Sequence, residues 1–296
     1  MSKKMEEAKA ALAELLENAK IGNIIPIRLP RQIEEIQELL QQAEKEHHEE
    51  LEQLRNVPGG EAGQTIIETA EFIKTAVHDL KNPLASIKGY GDMLYNPQMG
   101  GQLTPMQSQL LDVIRSNTRR MESLLADVST INKIRAGMLR PNKKMDMFKN
   151  IAMNLEKQTR KLAEELNRQL EFDIPQGLPI LNTDGERMAE ALIKLIENGL
   201  KYSPEGDGKV IVRASAEGNT LIIEIQDNGC GMTSEEIAQL GTMFFRADND
   251  VVRAYKGSGL GIPIAYQLID ILGGTIAVES ELGKGTKFTV KFEGMS

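Results

Sequence analysis

The chain has 296 residues and carries 35 Lys or Arg against 43 Asp or Glu, which gives a net charge of −8. This acidic balance argues against nucleic-acid binding, because neutralising phosphates requires clustered cations. The single cysteine, Cys230, excludes an internal disulfide and a multi-cysteine zinc site. No stretch approaches the roughly 20 apolar residues that span a bilayer, and the start lacks the apolar core of a signal peptide. We therefore expect a cytoplasmic protein of about two domains.

Residues 1–63 are predicted to form an N-terminal helical input or linker region. Their polar, helical pattern is broken at residues 21–30, where Pro26 and Pro30 end one helix before another begins. The second helix carries a coiled-coil-like seam of residues spaced by three and four: Ile33, Ile36, Leu40, Ala43 and His47. We interpret the acidic run at 44–53 as a solvated face.

Residues 64–140 contain the strongest periodic signal in the chain. Apolar positions alternate in steps of four and three at Ile66, Ala70, Ile73, Val77, Leu80, Leu84, Ile87, Gly91 and Leu94. After a turn at 96–102, a second stripe comprises Leu103, Met106, Leu110, Val113, Asn117, Met121, Leu124, Val128 and Ile131. This pattern predicts an antiparallel helical hairpin. One hairpin cannot bury so broad a stripe alone, so we predict a homodimer that forms a four-helix bundle.

Residues 141–296 combine helical runs with alternating strands. Strands are predicted at 169–174, 209–216, 220–226, 275–280 and 287–292. Helices are predicted at 148–166, 184–200, 233–240 and 260–271. Strands that are mostly joined as hairpins, with helices segregated from them, indicate a two-layer α/β sandwich. The whole chain is therefore predicted to be of the α+β class, with helices first and the sandwich second.

The first candidate site is His78, which lies just off the apolar stripe of the hairpin. A neutral imidazole on a rigid helix is a good nucleophile near pH 7, and Asp79 can bind its other ring nitrogen. Pro83, inside the same helix, removes a backbone donor and predicts a kink after His78. A solvent-exposed histidine of a coiled coil is an equally good interpretation of this segment alone.

The second candidate site lies in ALIKLIENGLKYSPEG at 191–206. A helix carries Glu197 and Asn198 and ends near Pro204. The amide oxygen of Asn198 suits a hard cation such as Mg²⁺. Glu197 either orients a reacting group or faces solvent.

Two glycine clusters form the third and fourth candidate sites. DNGCGM at 227–232 follows a strand, and its Asp227 is an acceptor for a purine amino group. GSGLGI at 257–262 opens a helix, whose first amides attract phosphate. The polar stretch between the clusters predicts a mobile lid over a nucleotide. The pattern has neither the Rossmann nor the P-loop signature, and it lacks the motifs of Ser/Thr/Tyr kinases.

Together these motifs resemble the sensor histidine kinases of two-component systems, over about residues 64–293. HDLKNPL at 78–84 is similar to the family's phospho-acceptor box. The resemblance implies that His78 is phosphorylated, that Asp79 is the acidic helper, and that Asn82 supports phosphatase activity towards the partner regulator. ENGLKYSP, DNGCGM, GSGLGI and GKGTKF are similar to the family's nucleotide-binding boxes, in the family's order.

The resemblance implies ATP and Mg²⁺ as cofactors. It makes Asn198 the Mg²⁺ ligand, with Lys201 near the phosphates, Asp227 at the adenine and Thr286 close to it. The other implied nucleotide-binding residues come from the same boxes: Tyr202, Gly229, Gly231, Gly257, Ser258, Gly259, Leu260 and Gly261. Residues 64–140 are then the dimerisation and phosphotransfer domain, and residues 141–296 are the catalytic ATP-binding domain.

Some positions depart from the family pattern. The family often has asparagine four residues before Asn198, where this chain has Lys194. The first aromatic anchor of the lid is replaced by Gly241, while Phe244 and Phe245 keep the second. The commoner Glu and Arg after the phospho-acceptor histidine are here Asp79 and Lys81.

The implied activity is ATP-dependent phosphorylation of His78 in the same or the neighbouring chain, followed by transfer to an aspartate of a response regulator. An upstream sensor protein is a possible partner through residues 1–63. Two other functions fit parts of the pattern. One is a protein-serine kinase of the same superfamily, which would give an acid-stable label. The other is a degenerate dimeric scaffold, which would not bind ATP.

Overall fold

A computed structural model describes Ala11, residues 61–255 and residues 257–295, with the backbone alone for residues 61–68. The chain divides into two compact units, residues 1–139 and residues 140–296. The coiled-coil seam predicted at 33–47 lies outside the described residues.

The described part of the first unit is a hairpin of α1 (Glu61–Tyr95), the single turn α2 (Pro97–Gly100) and α3 (Pro105–Arg135). Helix α1 continues through Pro83. Helix α3 begins with a capping box in which the Thr104 hydroxyl accepts from the backbone of Gln107 and the Gln107 side chain accepts from the backbone of Thr104. Pro105 supports this start, because the first helical amide needs no partner.

Interhelical contacts confirm that the two long helices run antiparallel. Asn132 Nδ2 donates to the carbonyl of Ala70 at 2.8 Å, near the base of the hairpin. Nearer the turn, Lys88 pairs with Glu122 at 2.8 Å and Arg115 pairs with Asp92 at 2.8 Å.

The predicted apolar stripe is right for α1 and partly wrong for α3. On α1, Ala70, Val77 and Leu84 are buried at the predicted spacing of seven. On α3 the buried set at this spacing is Leu111, Thr118 and Leu125. The predicted Leu110, Asn117 and Leu124 are only partly buried. Met121 and Ile131 of the predicted stripe are also buried, and Met121 packs with Val77 and Leu84 of α1. The side of α3 that meets α1 therefore includes only part of the predicted stripe, and Met106 and Val113 stay exposed in a single chain.

The second unit contains seven strands and five helices within its described residues. The strands are β1 (Lys144–Met147), β2 (Gln169–Asp173), β3 (Ile180–Thr183), β4 (Lys209–Glu217), β5 (Thr220–Asp227), β6 (Thr275–Glu281) and β7 (Gly285–Glu293). The helices are α4 (Phe148–Glu165), α5 (Gly185–Tyr202), α6 (Ser234–Ala238), α7 (Asp250–Ala254) and α8 (Gly261–Leu272).

The main sheet has the order β2-β4-β5-β7-β6, with β2 parallel to β4 and the other neighbours antiparallel. Helix α5 lies between α4 and α8 and packs on β4 and β5. Alternate residues of β4, including Val210 and Val212, are fully buried, as expected for a sheet covered by one helical layer. The predicted α+β class and two-layer sandwich are confirmed.

Strands β1 and β3 were not predicted. They pair only with each other, as a separate two-stranded antiparallel sheet. Each has four residues, too few for an alternating pattern to be recognised. The short helices α2 and α7 were likewise not predicted, because four or five residues give no helical period.

Candidate functional site

The phospho-acceptor candidate, His78, lies on the surface of α1. Its Nδ1 is 3.4 Å from Asp79 Oδ1, and the two side chains are 74% and 71% exposed. When Nδ1 carries the proton, the lone pair of Nε2 is available as a nucleophile. Asn82, one turn further along α1, is also exposed. The three predicted residues therefore share one accessible patch of the helix.

Asp227 is at the end of β5 and is held by two backbone amides. Its Oδ1 accepts from Gly229 N at 2.8 Å and from Thr286 N at 3.1 Å. Burial raises the pKa of Asp227 to about 6, and the two amide hydrogen bonds oppose this rise. Among the described residues no hydrogen bond engages Oδ2, which remains an acceptor for a ligand.

Glycines allow the chain to approach Asp227 closely. A side-chain carbon on Gly199 would lie 3.1 Å from Val210 and 3.2 Å from Asp227 Cβ, so α5 packs tightly there. Gly285 has φ +100°, and a carbon there would lie 2.1 Å from the Asp227 carbonyl oxygen. Sequence reasoning named neither residue, although Gly199 directly follows Asn198. The predicted Gly229 and Gly231 are equally confined, because carbons there would lie 2.7 Å from the Tyr202 carbonyl and 2.0 Å from that of Glu281.

The last turns of α5 carry three further candidate residues. Lys201 Nζ is 2.9 Å from Glu197 Oε2, so Glu197 orients this lysine. The carbonyl of Tyr202 accepts from Cys230 N at 3.1 Å, which ties the end of α5 to the first glycine cluster. Burial raises the pKa of Tyr202, and the nearby Arg246 opposes this effect. Asn198 Nδ2 lies 3.8 Å from the position of a side-chain carbon on Gly261.

The second glycine cluster forms the turn before α8. Ser258 Oγ accepts from Leu260 N at 3.2 Å, and Leu260 is buried. Gly259 has φ +73°, and a carbon there would lie 2.6 Å from the backbone of Phe244. Helix α8 begins at Gly261, and no side chain among the described residues caps it. Its first amides therefore have no side-chain acceptor, a geometry that suits an anion.

Arg246 organises the segment between the two glycine clusters. Its guanidinium donates to the carbonyls of Val252 at 2.6 Å, Tyr255 at 2.5 Å and Gly257 at 2.9 Å. The ring of Tyr255 meets that of Tyr202 edge-on, with centroids 6.2 Å apart. The predicted lid thus contains α6, α7 and a network centred on an arginine that sequence reasoning did not identify. No periodic pattern marks this residue.

The predicted nucleotide-binding residues therefore come together in the second unit, where the ends of β5 and α5 meet the start of α8. Phe244 and Phe245 are partly buried there, and Gly241 is exposed. Within the described residues, no group of three or more His, Cys, Asp or Glu is arranged to hold a metal ion.

Two family models match the chain. Residues 68–137 match the His Kinase A (phospho-acceptor) domain, and residues 183–294 match the histidine kinase-, DNA gyrase B- and HSP90-like ATPase domain. The first match includes His78, and the second spans Asn198, Asp227, the second glycine cluster and Thr286. The chain belongs to the sensor histidine kinase family.

Similar proteins include a circadian input-output histidine kinase, CikA, of Synechococcus elongatus. It is 30% identical over 74% of this chain and 29% of its own length. The sensor protein GacS of Pseudomonas syringae is 28% identical over 95% of this chain and 32% of its own length. The chain thus spans about a third of the length of these relatives.

Solved structures with the same fold include full-length ShkA in complex with AMPPNP. It has a TM-score of 0.63 and 22% identity, and the match covers 76% of this chain and 46% of ShkA. The histidine kinase AdeS of Acinetobacter baumannii has a TM-score of 0.53 and 23% identity, and the match covers 74% of this chain and 98% of AdeS. Of the helices in the described ranges, none has the length and apolarity needed to cross a bilayer.

Proposed function

We propose that this protein phosphorylates itself on His78 with ATP and passes the phosphoryl group to an aspartate of a response regulator. The observation that carries this proposal is the exposed His78 imidazole, in a chain that also contains an ATPase-type domain with a free Asp227 oxygen. In this proposal, residues 64–140 form the dimerisation and phosphotransfer domain and residues 141–296 the ATP-binding domain.

The ATP-binding role is supported by the hydrogen-bond acceptor, the amide donors and the positive charge at the candidate site of the second unit. Asp227 Oδ2 accepts the adenine amino group, and Thr286, which fixes Oδ1, borders the same ring. The phosphates lie against the first amides of α8 and the backbone of Gly257, Ser258 and Gly259. Lys201 supplies positive charge, while Glu197 restricts its position.

Asn198 is the proposed Mg²⁺ ligand. Its amide oxygen is a hard neutral donor, and Mg²⁺ in phosphoryl-transfer sites takes few protein ligands and completes its shell with phosphate oxygens and water. The absence of a carboxylate cluster among the described residues fits such a shared site. The bound ion supplies neutralisation of the charge on the phosphates.

The chemical step follows from the geometry of the His78 patch. Nε2 of His78 attacks the γ-phosphorus, the bond from phosphorus to the β–γ bridging oxygen breaks, and ADP leaves with the bond electrons. Asp79 accepts a hydrogen bond from Nδ1–H and stabilises the positive charge that develops on the ring. Asn82, on the same face, orients a water molecule for a separate phosphatase reaction, in which that water attacks the aspartyl phosphate of the regulator and inorganic phosphate leaves.

The dimer is supported by the apolar side chains that one hairpin leaves exposed. Leu94 is 50% exposed, Met106 72% and Val113 42%, and Met106 and Val113 belong to the predicted stripe of α3. A second hairpin covers these residues in a four-helix bundle. Residues 1–63 connect this bundle to an upstream sensor.

The proposal is tested with purified protein, γ-labelled ATP and parallel acid and alkaline quenches. His78→Gln is expected to abolish an alkali-stable, acid-labile label, because phosphohistidine has this stability pattern. His48→Gln is the matched control and should retain the label, since it alters a histidine outside both family matches. Equal labelling of the wild type and His78→Gln, or an acid-stable label, would contradict the proposal.

A further inference from the structure

Lys194 occupies a position beside the start of α8 that the proposed function leaves unassigned. It precedes Asn198 by four residues on α5, so both side chains lie on one face of that helix. A side-chain carbon on Gly261 would be 3.8 Å from Lys194 Cδ and 3.8 Å from Asn198 Nδ2. The Lys194 stem and the Asn198 amide therefore border the same point, the first residue of α8.

The chemistry of the two side chains differs in a way that matters at this point. Asn198 offers an oxygen that can bind a cation, whereas an ammonium has three donors and no acceptor and cannot be a metal ligand. The Lys194 ammonium lies beyond Cδ on a flexible chain, and the side chain is only partly buried. Lys194 already interacts with another group of the chain, so it reaches an anion at the uncapped amides of α8 by sharing or exchanging that interaction.

We propose that Lys194 binds a phosphate oxygen of the nucleotide and takes over part of the charge neutralisation that Mg²⁺ otherwise provides. This inference rests on the proposed function, because it places ATP at this turn. Lys194 would then determine ligand specificity for the polyphosphate chain and leave recognition of adenine to Asp227.

The consequence is a weakened dependence of ATP binding on Mg²⁺. When Mg²⁺ is removed, the phosphates carry more uncompensated charge and the contact with Lys194 gains importance. Replacing Lys194 with a neutral residue should therefore weaken binding of metal-free ATP more than binding of MgATP. Adenosine has no phosphate, so its binding should not respond to the substitution.

The test is calorimetric titration of the full chain with ATP in Mg²⁺, ATP in EDTA, and adenosine. For Lys194→Asn we expect about a tenfold increase in the Kd of ATP in EDTA, the loss of one charge-assisted contact. The increase in Mg²⁺ should be about threefold or less, and the Kd of adenosine should not change. Lys194→Arg keeps the charge and should retain most of the affinity for metal-free ATP.

A matched control separates this contact from a general change in net charge. Lys157 is exposed on α4, so Lys157→Gln removes one positive charge from the same unit without altering α5. This control should leave all three Kd values unchanged. Thermal unfolding of each variant shows whether the unit remains folded.

The outcomes distinguish failure of this inference from failure of the proposed function. If the wild type binds ATP and Lys194→Asn loses no more affinity in EDTA than Lys157→Gln, the role of Lys194 is wrong and the ATP site stands. A loss for adenosine as large as that for ATP would also overturn the role, because it would indicate a structural effect. A wild-type chain that binds neither ATP nor adenosine would overturn both proposals.

Discussion

The hairpin and the α/β unit bury their apolar residues to different extents. In the α/β unit, Phe148, Leu192 and Ile223 are completely buried, whereas the least exposed apolar side chains in the described hairpin, Ala70 and Leu84, are 3% exposed. The hairpin also leaves Tyr90 68% exposed and Met106 72% exposed. An unpaired hairpin has too little interior to stabilise itself, so its stability should depend on a second copy, while the α/β unit should fold without one.

The candidate functional groups of the two regions also differ in exposure: that of the hairpin is exposed, and that of the α/β unit is enclosed. His78 lies on an open helical surface, whereas Asp227 is enclosed by two amides and close-packed glycines. In the proposed function an ATP-binding unit and a response regulator must both reach His78, and this exposure permits that. A pocket that recognises one small molecule gains from a rigid, partly dehydrated acceptor.

The largest effect is expected from Val113→Asp on the exposed stripe of α3. In the proposed bundle this change buries two unpaired carboxylates, at a cost of about 4 kcal/mol, close to a thousandfold in the dimer dissociation constant. Sedimentation equilibrium measures that constant. Ala126→Asp is the matched control, because Ala126 is exposed on another side of α3 and should tolerate the charge. An unchanged oligomeric state for Val113→Asp would show that this stripe is not the interface.

The next largest effect concerns the interior of the α/β unit. Leu192 is completely buried, so Leu192→Ala should lower the free energy of unfolding by about 3 kcal/mol. The melting temperature of this unit should fall by roughly 6–12 °C, and the fall should not depend on protein concentration. Calorimetric scans over a wide concentration range test this. A concentration-dependent midpoint for this transition would remove the contrast with the hairpin.

The same contrast explains which features were predictable from the sequence. The five strands of the main sheet were predicted to within two residues at each end, because alternation reports a local burial pattern. The contact face of α3 was predicted only in part: Met121 and Ile131 are buried as expected, but Leu110 is less buried than its neighbour Leu111. Each of the two neighbouring rows has leucine at two of three heptad positions and a polar residue, Asn117 or Thr118, at the third, so the pattern does not separate them. Only the position of α1 decides that Leu111 is more buried than Leu110.

The chemical groups of the candidate site were predictable from the sequence, but the residues that hold these groups in place were not. Asn198 and Asp227 stand in recognisable motifs. The tight fit at Gly199 and the need for glycine at 285 arise only when α5 and β7 are packed around Asp227. Likewise, the hydrogen bonds of Arg246 join carbonyls whose proximity depends on the fold of the whole segment. No local pattern encodes such contacts.

Asp227→Asn should separate ligand binding from stability. The amide keeps an acceptor for Gly229 N and Thr286 N, but it presents a donor where adenine requires an acceptor. We expect about a tenfold or greater loss of adenosine affinity. Above pH 6 we expect a gain in stability, because the variant no longer buries a charge. Titration with adenosine and thermal scans measure the two quantities, and a joint loss of both would contradict this assignment.

The raised pKa of Asp227 determines how the free energy of unfolding should change with pH. The pKa of Asp227 is raised from 3.8 to about 6, so the folded state keeps a proton that the unfolded chain loses between these values. The contribution of this group to stability therefore falls as the pH rises from 3.8 to about 6. The stability difference between Asp227→Asn and the wild type should be greatest above pH 6 and should shrink towards pH 4. A difference that does not change with pH would show that Asp227 is not the group responsible.

The smallest effect is expected from the polar contact at the base of the hairpin. Asn132→Ala removes a partly buried hydrogen bond of 2.8 Å to the Ala70 carbonyl and should cost about 1 kcal/mol. Lys88→Ala, which removes the exposed ion pair with Glu122, should cost only a few tenths of that amount. In the proposed dimer a second copy stabilises the hairpin, so both losses should appear as a downward shift of a concentration-dependent transition, with the α/β transition unchanged. If Asn132→Ala shifted the α/β transition equally, the two regions would unfold as one cooperative unit and would not differ in the way argued above.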